Sequence, residues 1–119
     1  MKVVKMDEVE KVSAASPLFT GDDVSRQPLA PDSKDFNISV VNFGKGIKNK
    51  MHYHESDQVL VVTAGEGVVA TENEQAVVSV GDVIFAPAGE RHWHGSLPGT
   101  TFSHITITRK DAQAIQVEQ

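Results

Sequence analysis

From residue 37 to residue 109 the chain is a succession of short β-branched runs, each stopped by turn-forming residues. "NISVVNF" (Asn37 to Phe43) meets Gly44-Lys45-Gly46, and "QVLVVTA" (Gln58 to Ala64) meets Gly65-Glu66-Gly67. "VVATE" and "AVVSV" flank Asn73-Glu74-Gln75 as a hairpin, "VIFA" lies between Gly81-Asp82 and Pro87-Ala88-Gly89, and Pro98-Gly99 separates "RHWHGSL" from "TTFSHITITR". No stretch sustains a helical period. Strands this short and this regularly punctuated must pair as two sheets or close on themselves to hide their edges. The expectation is an all-β barrel over residues 37–109.

The flanks read differently. Residues 1–36 include "PLFTGDDVSRQPLAPDSKDF", with three prolines, and are expected to form an extended arm with little regular structure of its own. Within it, Met1 to Met6 could add a strand to an edge. Residues 110–119 form a polar tail expected to finish at the surface. At 119 residues the chain has room for one core. A formal net charge of -5 disfavours nucleic acid and anionic membrane as partners. No apolar run approaches bilayer length, and the acidic N-terminus "MKVVKMDEVEKV" does not read as a secretory signal. Cysteine is absent, which fits a cytoplasmic protein and confines any transition-metal site to histidine and oxygen donors.

All five histidines, His52, His54, His92, His94 and His104, fall in predicted strands or at their ends. Alternate residues of a strand share a face, so each His-x-His pair presents two imidazoles together. Residues 102, 104, 106 and 108 likewise share a face of the last strand. With those faces turned inward, the interior contains five imidazoles and Gln58. Burying so many polar groups unpartnered costs on the order of 1–3 kcal/mol each, and a metal offsets that cost for several at once. Gly46, Gly65, Gly81 and Gly89 lie at predicted strand ends, where turns often require positive φ, and Pro87 marks a strand end or bulge.

These residues resemble the cupins. Gly46, five residues, His52-Tyr53-His54, three residues, Gln58, six residues and Gly65 reproduce the first cupin motif, with glutamine where the family usually has glutamate. Gly81, five residues, Pro87-Ala88-Gly89, two residues and His92 reproduce the second. The resemblance implies a single-domain double-stranded β-helix, a jelly-roll-like barrel. It also implies one divalent transition metal held by His52, His54, Gln58 and His92. "HYHESDQVLVVTAG", "GERHWHG" and "SHITI" are similar to the small manganese-binding cupins that include bacterial hydroxynitrile lyases. That likeness implies manganese as the ion and places His94 and His104 beside it as catalytic residues. It extends to Ser39 and Val41 on the first strand. Cupins that assist ring opening of unsaturated uronates also use glutamine as a ligand, and iron, zinc, nickel or cobalt suit the same donors.

An amide donor leaves the metal its full divalent charge, where glutamate would neutralise part of it. That favours Lewis-acid chemistry over oxygen activation. The expected reaction is lyase-like: a small hydroxy or carbonyl substrate binds the metal, and His94 or His104 moves its proton. Val41, Leu60, Val62 and Phe102, with Ser39 on the first strand and Thr108 on the last, are expected to line the substrate pocket. A cupin dioxygenase and a non-catalytic small-molecule-binding cupin are the other classes open. The outward apolar residues Ile105 and Ile107 and the proline-rich arm point to a homodimer.

Overall fold

The computed structural model describes residues 1–119. Apart from one 3-10 turn at Met6–Glu8, all its regular structure is β. The strands are β1 (Val12–Ser13), β2 (Val24–Pro28), β3 (Phe36–Phe43), β4 (His52–His54) and β5 (Gln58–Thr71). They continue as β6 (Gln75–Ser79), β7 (Val83–Ala86), β8 (His92–Ser96), β9 (Phe102–Arg109) and β10 (Ala114–Gln116). One sheet runs β1-β2-β3-β9-β5-β7 and the other β6-β5-β8-β4-β10, every pairing antiparallel. β5 belongs to both, so the two sheets curl into a half-open barrel.

The long β5 differs from the sequence expectation. Gly65 was read as the end of a strand, yet β5 continues through it for 14 residues. A register shift between Val62 and Ala64 and a φ of +70° at Gly65 bend the strand without ending it. A Cβ on Gly65 would lie 1.9 Å from the Thr101 carbonyl oxygen, so only glycine lets the strand cross there. Gly46, Gly81 and Gly89 also have positive φ, as their turns require.

Both flanks join the sheets. β2 lies inside the stretch read as an extended arm, and it pairs with β3 from Val24↔Phe43 to Pro28↔Ser39, burying Val24 and Gln27. Its neighbouring prolines and aspartates hide a run of only five residues, which ends at Pro28 because proline cannot donate to the ladder. Met1 to Met6 adds no strand. In the tail, β10 pairs along β4, with Ala114↔His54 and Gln116↔His52, and so braces the strand that carries the first two histidines.

Strand alternation gives the first sheet two faces of different character. Inward rows are Arg26↔Val41↔His104↔Val62 and Ser39↔Thr106↔Leu60↔Ile84. Outward rows are Ile38↔Ile107↔Val59↔Phe85 and Val40↔Ile105↔Val61↔Val83, apolar from β3 to β7. The Met6–Glu8 turn approaches this outer face at the β2 end, where Gln27 donates to the Met6 and Val9 carbonyls and Val40 is buried. At the opposite edge Val83 and Phe85 are 64% and 60% exposed. Inside, Val24, Val41, Phe43, Val62, Val78 and Phe102 form the apolar core, against which the histidines pack.

Candidate metal centre

The two sheets contribute different halves of the site. β4 and β8 supply His52, His54, His92 and His94, and register His52↔His92 places those two side by side. β5 and β9 supply Gln58 and His104 from the facing sheet. The period-2 geometry of "HYH" and "HWH" turns Tyr53 and Trp93 away from the histidines, and Trp93 packs under the Lys48 ammonium, 4.2 Å from its ring centroid.

The ligand nitrogens of His52, His54 and His92 lie within 4.8 Å of one another. His52 Nε2 is 3.2 Å from His54 Nε2, and His92 Nε2 is 3.0 Å from Gln58 Oε1. Neighbouring ligands about 2.1 Å from one ion sit about 3 Å apart, so these spacings suit a metal. Protonation makes the case stronger. His52 Nδ1 donates to the Lys50 carbonyl at 2.7 Å and His92 Nδ1 to the Glu90 carbonyl at 2.9 Å. Each ring therefore carries its hydrogen on the far side and turns a bare Nε2 lone pair inward, the arrangement that outer partners impose on metal-binding histidines. Gln58 Nε2 donates to Thr106 Oγ1 at 2.8 Å, and Oε1 faces His92. Lone pairs thus face one another with no hydrogen between His92 and Gln58. A cation resolves that contact, and the donor set fits a divalent metal.

A second polar cluster adjoins the first. Asn49 Oδ1 accepts from the His94 backbone N–H at 2.8 Å, which turns its Nδ2 toward the His94 ring, 3.2 Å from Nε2. An amide N–H only donates, and Nε2 at 3.2 Å is nearer to it than Nδ1 at 3.5 Å, which assigns the His94 lone pair to Nε2 and its hydrogen to Nδ1. That Nδ1 lies 3.3 Å from His104 Nε2 and in this tautomer donates to it. His104 Nδ1 is buried with no hydrogen-bond partner. Burial, the largest cause in each case, lowers the pKa of all five histidines. His52, His54 and His104 fall to about 4, His92 is lowered, and His94, also beside His104, is held well below its usual value. All five are neutral at pH 7.

A cavity of about 180 Å³ reaches His52, His54, Gln58, His94 and His104. Of the expected pocket residues, Val41 and Thr108 line it. Ser39, Val62 and Phe102 are buried without lining it, and Val62 and Phe102 belong to the apolar core. Leu60 instead lines a separate cavity of about 210 Å³, which touches His92 and His94 and is also lined by Val69, Ile84 and Ala86. Asn49 and Thr106 were not singled out from the sequence. Their roles depend on partners 45 and 48 residues away, and neither carries a motif.

Residues 39–106 match the family of the cupin domain. The (R)-mandelonitrile lyase of Granulicella tundricola is 38% identical over 101 residues, spanning 82% of this chain and 76% of that protein. An acireductone dioxygenase from Hahella chejuensis is 28% identical over 105 residues, spanning 85% of this chain and 52% of its own length. The crystal structure of a cupin-like protein from Thermotoga maritima superposes with a TM-score of 0.85 at 28% identity, covering 95% of this chain and 90% of that one.

The depressed histidine pKa values link stability to pH. Between pH 6.5 and about 4 the unfolded chain binds protons at His52, His54 and His104 that the folded chain does not. Stability is therefore full above pH 6.5 and is lost as pH falls through that window. Thermal melts of chelator-treated protein should give a flat Tm from pH 8 to 7 and a steady fall below 6.5. A Tm unchanged down to pH 4.5 would show that the histidines are not buried neutral.

Proposed function

This chain belongs to the cupin family, and from that premise we propose that it is a metal-dependent enzyme acting on a small hydroxy or carbonyl compound. The specific reaction we propose is lyase chemistry at a carbon–carbon bond, of the hydroxynitrile lyase kind. One observation carries this reading. Bare lone pairs of His52, His92 and Gln58 converge beside a second pair, His94 and His104, whose rings meet at 3.3 Å, and one cavity reaches both clusters.

His52, His54, Gln58 and His92 would hold the ion. Manganese is proposed from the likeness of the motifs to manganese-binding cupins, and the donors also suit iron, zinc, nickel or cobalt. Such an ion supplies a Lewis acid that polarises an oxygen of the substrate. The chain's own residues do the rest. His94 Nε2 carries the lone pair that can take a hydroxyl proton, displacing the Asn49 amide. His94 Nδ1–H, already pointed at His104 Nε2, lets the second ring share the positive charge that results. In a cyanohydrin the C–O bond becomes a carbonyl as the carbon–carbon electron pair leaves with cyanide, which takes up the proton. Phe43, packed against both rings, keeps this pair in apolar surroundings.

A dioxygenase is the second reading, favoured by the acireductone dioxygenase relative. The neutral amide of Gln58 argues against it, because it leaves the metal a poorer electron donor. The discriminating experiment is cleavage of mandelonitrile by metal-loaded protein. His94→Ala and His104→Ala should each lower kcat/KM by about 100-fold or more while metal content is unchanged. Full activity in His104→Ala with metal bound would contradict the assignment, and activity that requires dioxygen would favour the second reading.

The outer face of the first sheet supports a homodimer. Phe36, Val83 and Phe85 are exposed there beside the partly exposed Ile38, Val59, Val61, Ile105 and Ile107, a continuous apolar face of the kind that marks an interface between proteins. Sedimentation at micromolar concentration should give twice the 12.9 kDa chain mass. A monomer in wild type, or a dimer that survives Val83→Glu with Phe85→Glu, would overturn this.

A further inference from the structure

Asn49 lies in the loop between β3 and β4, is 3% exposed, and lines the cavity that reaches His52, His54, Gln58, His94 and His104. The backbone of β8 sets its orientation. The His94 backbone N–H, which can only donate, meets Asn49 Oδ1 at 2.8 Å, and the Asn49 backbone N–H donates to the His94 carbonyl at 2.9 Å. With the oxygen held there, the Nδ2 end of the amide is the end left for the His94 ring and the cavity.

Nδ2 has two hydrogens to place. The only acceptors that the chain brings within reach are the two ring nitrogens of His94, at 3.2 and 3.5 Å. A neutral imidazole has one acceptor nitrogen, so the ring takes at most one of the two hydrogens in either tautomer. One N–H of a buried amide therefore has no acceptor, at the wall of a cavity. Such a donor in a native interior calls for a bound molecule or a catalytic role. The other amides of this cavity wall are engaged, Asn37 with Thr108 Oγ1 at 3.4 Å and Gln58 with Thr106 Oγ1 at 2.8 Å. The His94 ring centre lies 5.9 Å from that of His52 and 5.8 Å from that of His92, so a single ring separates the Asn49 amide from the candidate metal ligands. At about 180 Å³, about six water volumes, the cavity is small enough for one ligand to meet both.

We propose that Asn49 is a catalytic residue whose Nδ2–H donates to the nitrile nitrogen of a cyanohydrin and holds the cyanide that departs. The inference rests on the lyase reading of this site and adds the group that meets the leaving end. The substrate hydroxyl turns toward His52, His54, Gln58 and His92 and gives its proton to His94. The C–O bond becomes a carbonyl as the bond to the nitrile carbon breaks, and that electron pair leaves with cyanide, which takes the proton back from His94. Negative charge grows on the nitrile as the bond lengthens. A donor fixed at that end therefore binds the transition state more tightly than the substrate.

Wild-type protein loaded with diamagnetic zinc allows the Asn49 side-chain amide to be followed by heteronuclear NMR. The probes are β-hydroxypropionitrile, whose hydroxyl is one carbon too far from the nitrile to expel cyanide, and homopropargyl alcohol, its alkyne isostere without the acceptor nitrogen. The nitrile should move one Asn49 Nδ2 proton downfield and bind about fivefold more tightly than the alkyne, the worth of one neutral hydrogen bond. Asn49→Asp keeps an oxygen for the His94 N–H and removes both hydrogens. It should bind the two probes equally and lower kcat on mandelonitrile about 100-fold, with KM changed by less than about threefold. An Asn49 amide unmoved by the nitrile, or equal binding of the two probes by wild type, would overturn the proposal, and both are read without any variant having to fold. Neither measurement needs turnover, which separates the two claims. A nitrile-specific shift in protein that cleaves no mandelonitrile upholds the donor and refutes the lyase reading. Cleavage with the Asn49 amide unmoved does the reverse.

Discussion

His92 Nε2 and Gln58 Oε1 lie 3.0 Å apart, and neither has a hydrogen to offer the other. The hydrogen of His92 is committed to the Glu90 carbonyl, and the amide hydrogens of Gln58 are turned to Thr106. Such a contact between lone pairs is unfavourable in a buried site unless a positive charge lies between them. Much of the architecture serves to hold it. β10 braces β4, the bend at Gly65 lets β5 serve both sheets, and the Gly46 to His54 segment is pinned through Asn49 to β8. The fold brings four neutral acceptors from two sheets to one point, a donor set that could hold a metal ion.

Gln58 determines which chemistry the convergence can support. Its oxygen is a donor without charge, so an ion bound there keeps its full electrophilicity and attracts an anion from outside the protein. The buried pair His94–His104 supplies a proton acceptor that is neutral at pH 7.

The ligand histidines were legible because their information is local. A His-x-His pair on a strand needs only the two-residue period to share a face, and Gly46, Gly81 and Gly89, all with positive φ, sit at turns that announce themselves. Gln58 was legible through its spacing from His54. Long-range pairing was not. The five-residue β2 is masked by flanking prolines, and its place in the sheet is set by pairing with β3, 15 residues on at Val41. Asn49 and Thr106 act through contacts that appear only once the sheets have closed. Leu60 faces inward as its alternation requires, but its row places it against Ile84 and so in the neighbouring cavity.

Metal content is the most direct test of the central claim. Protein purified without added metal and analysed by plasma mass spectrometry should carry one divalent transition-metal ion per chain. His92→Ala and Gln58→Leu should each reduce that occupancy sharply, and a chelator should lower the Tm of wild type. No bound metal in wild type, together with a Tm indifferent to chelator, would contradict the account.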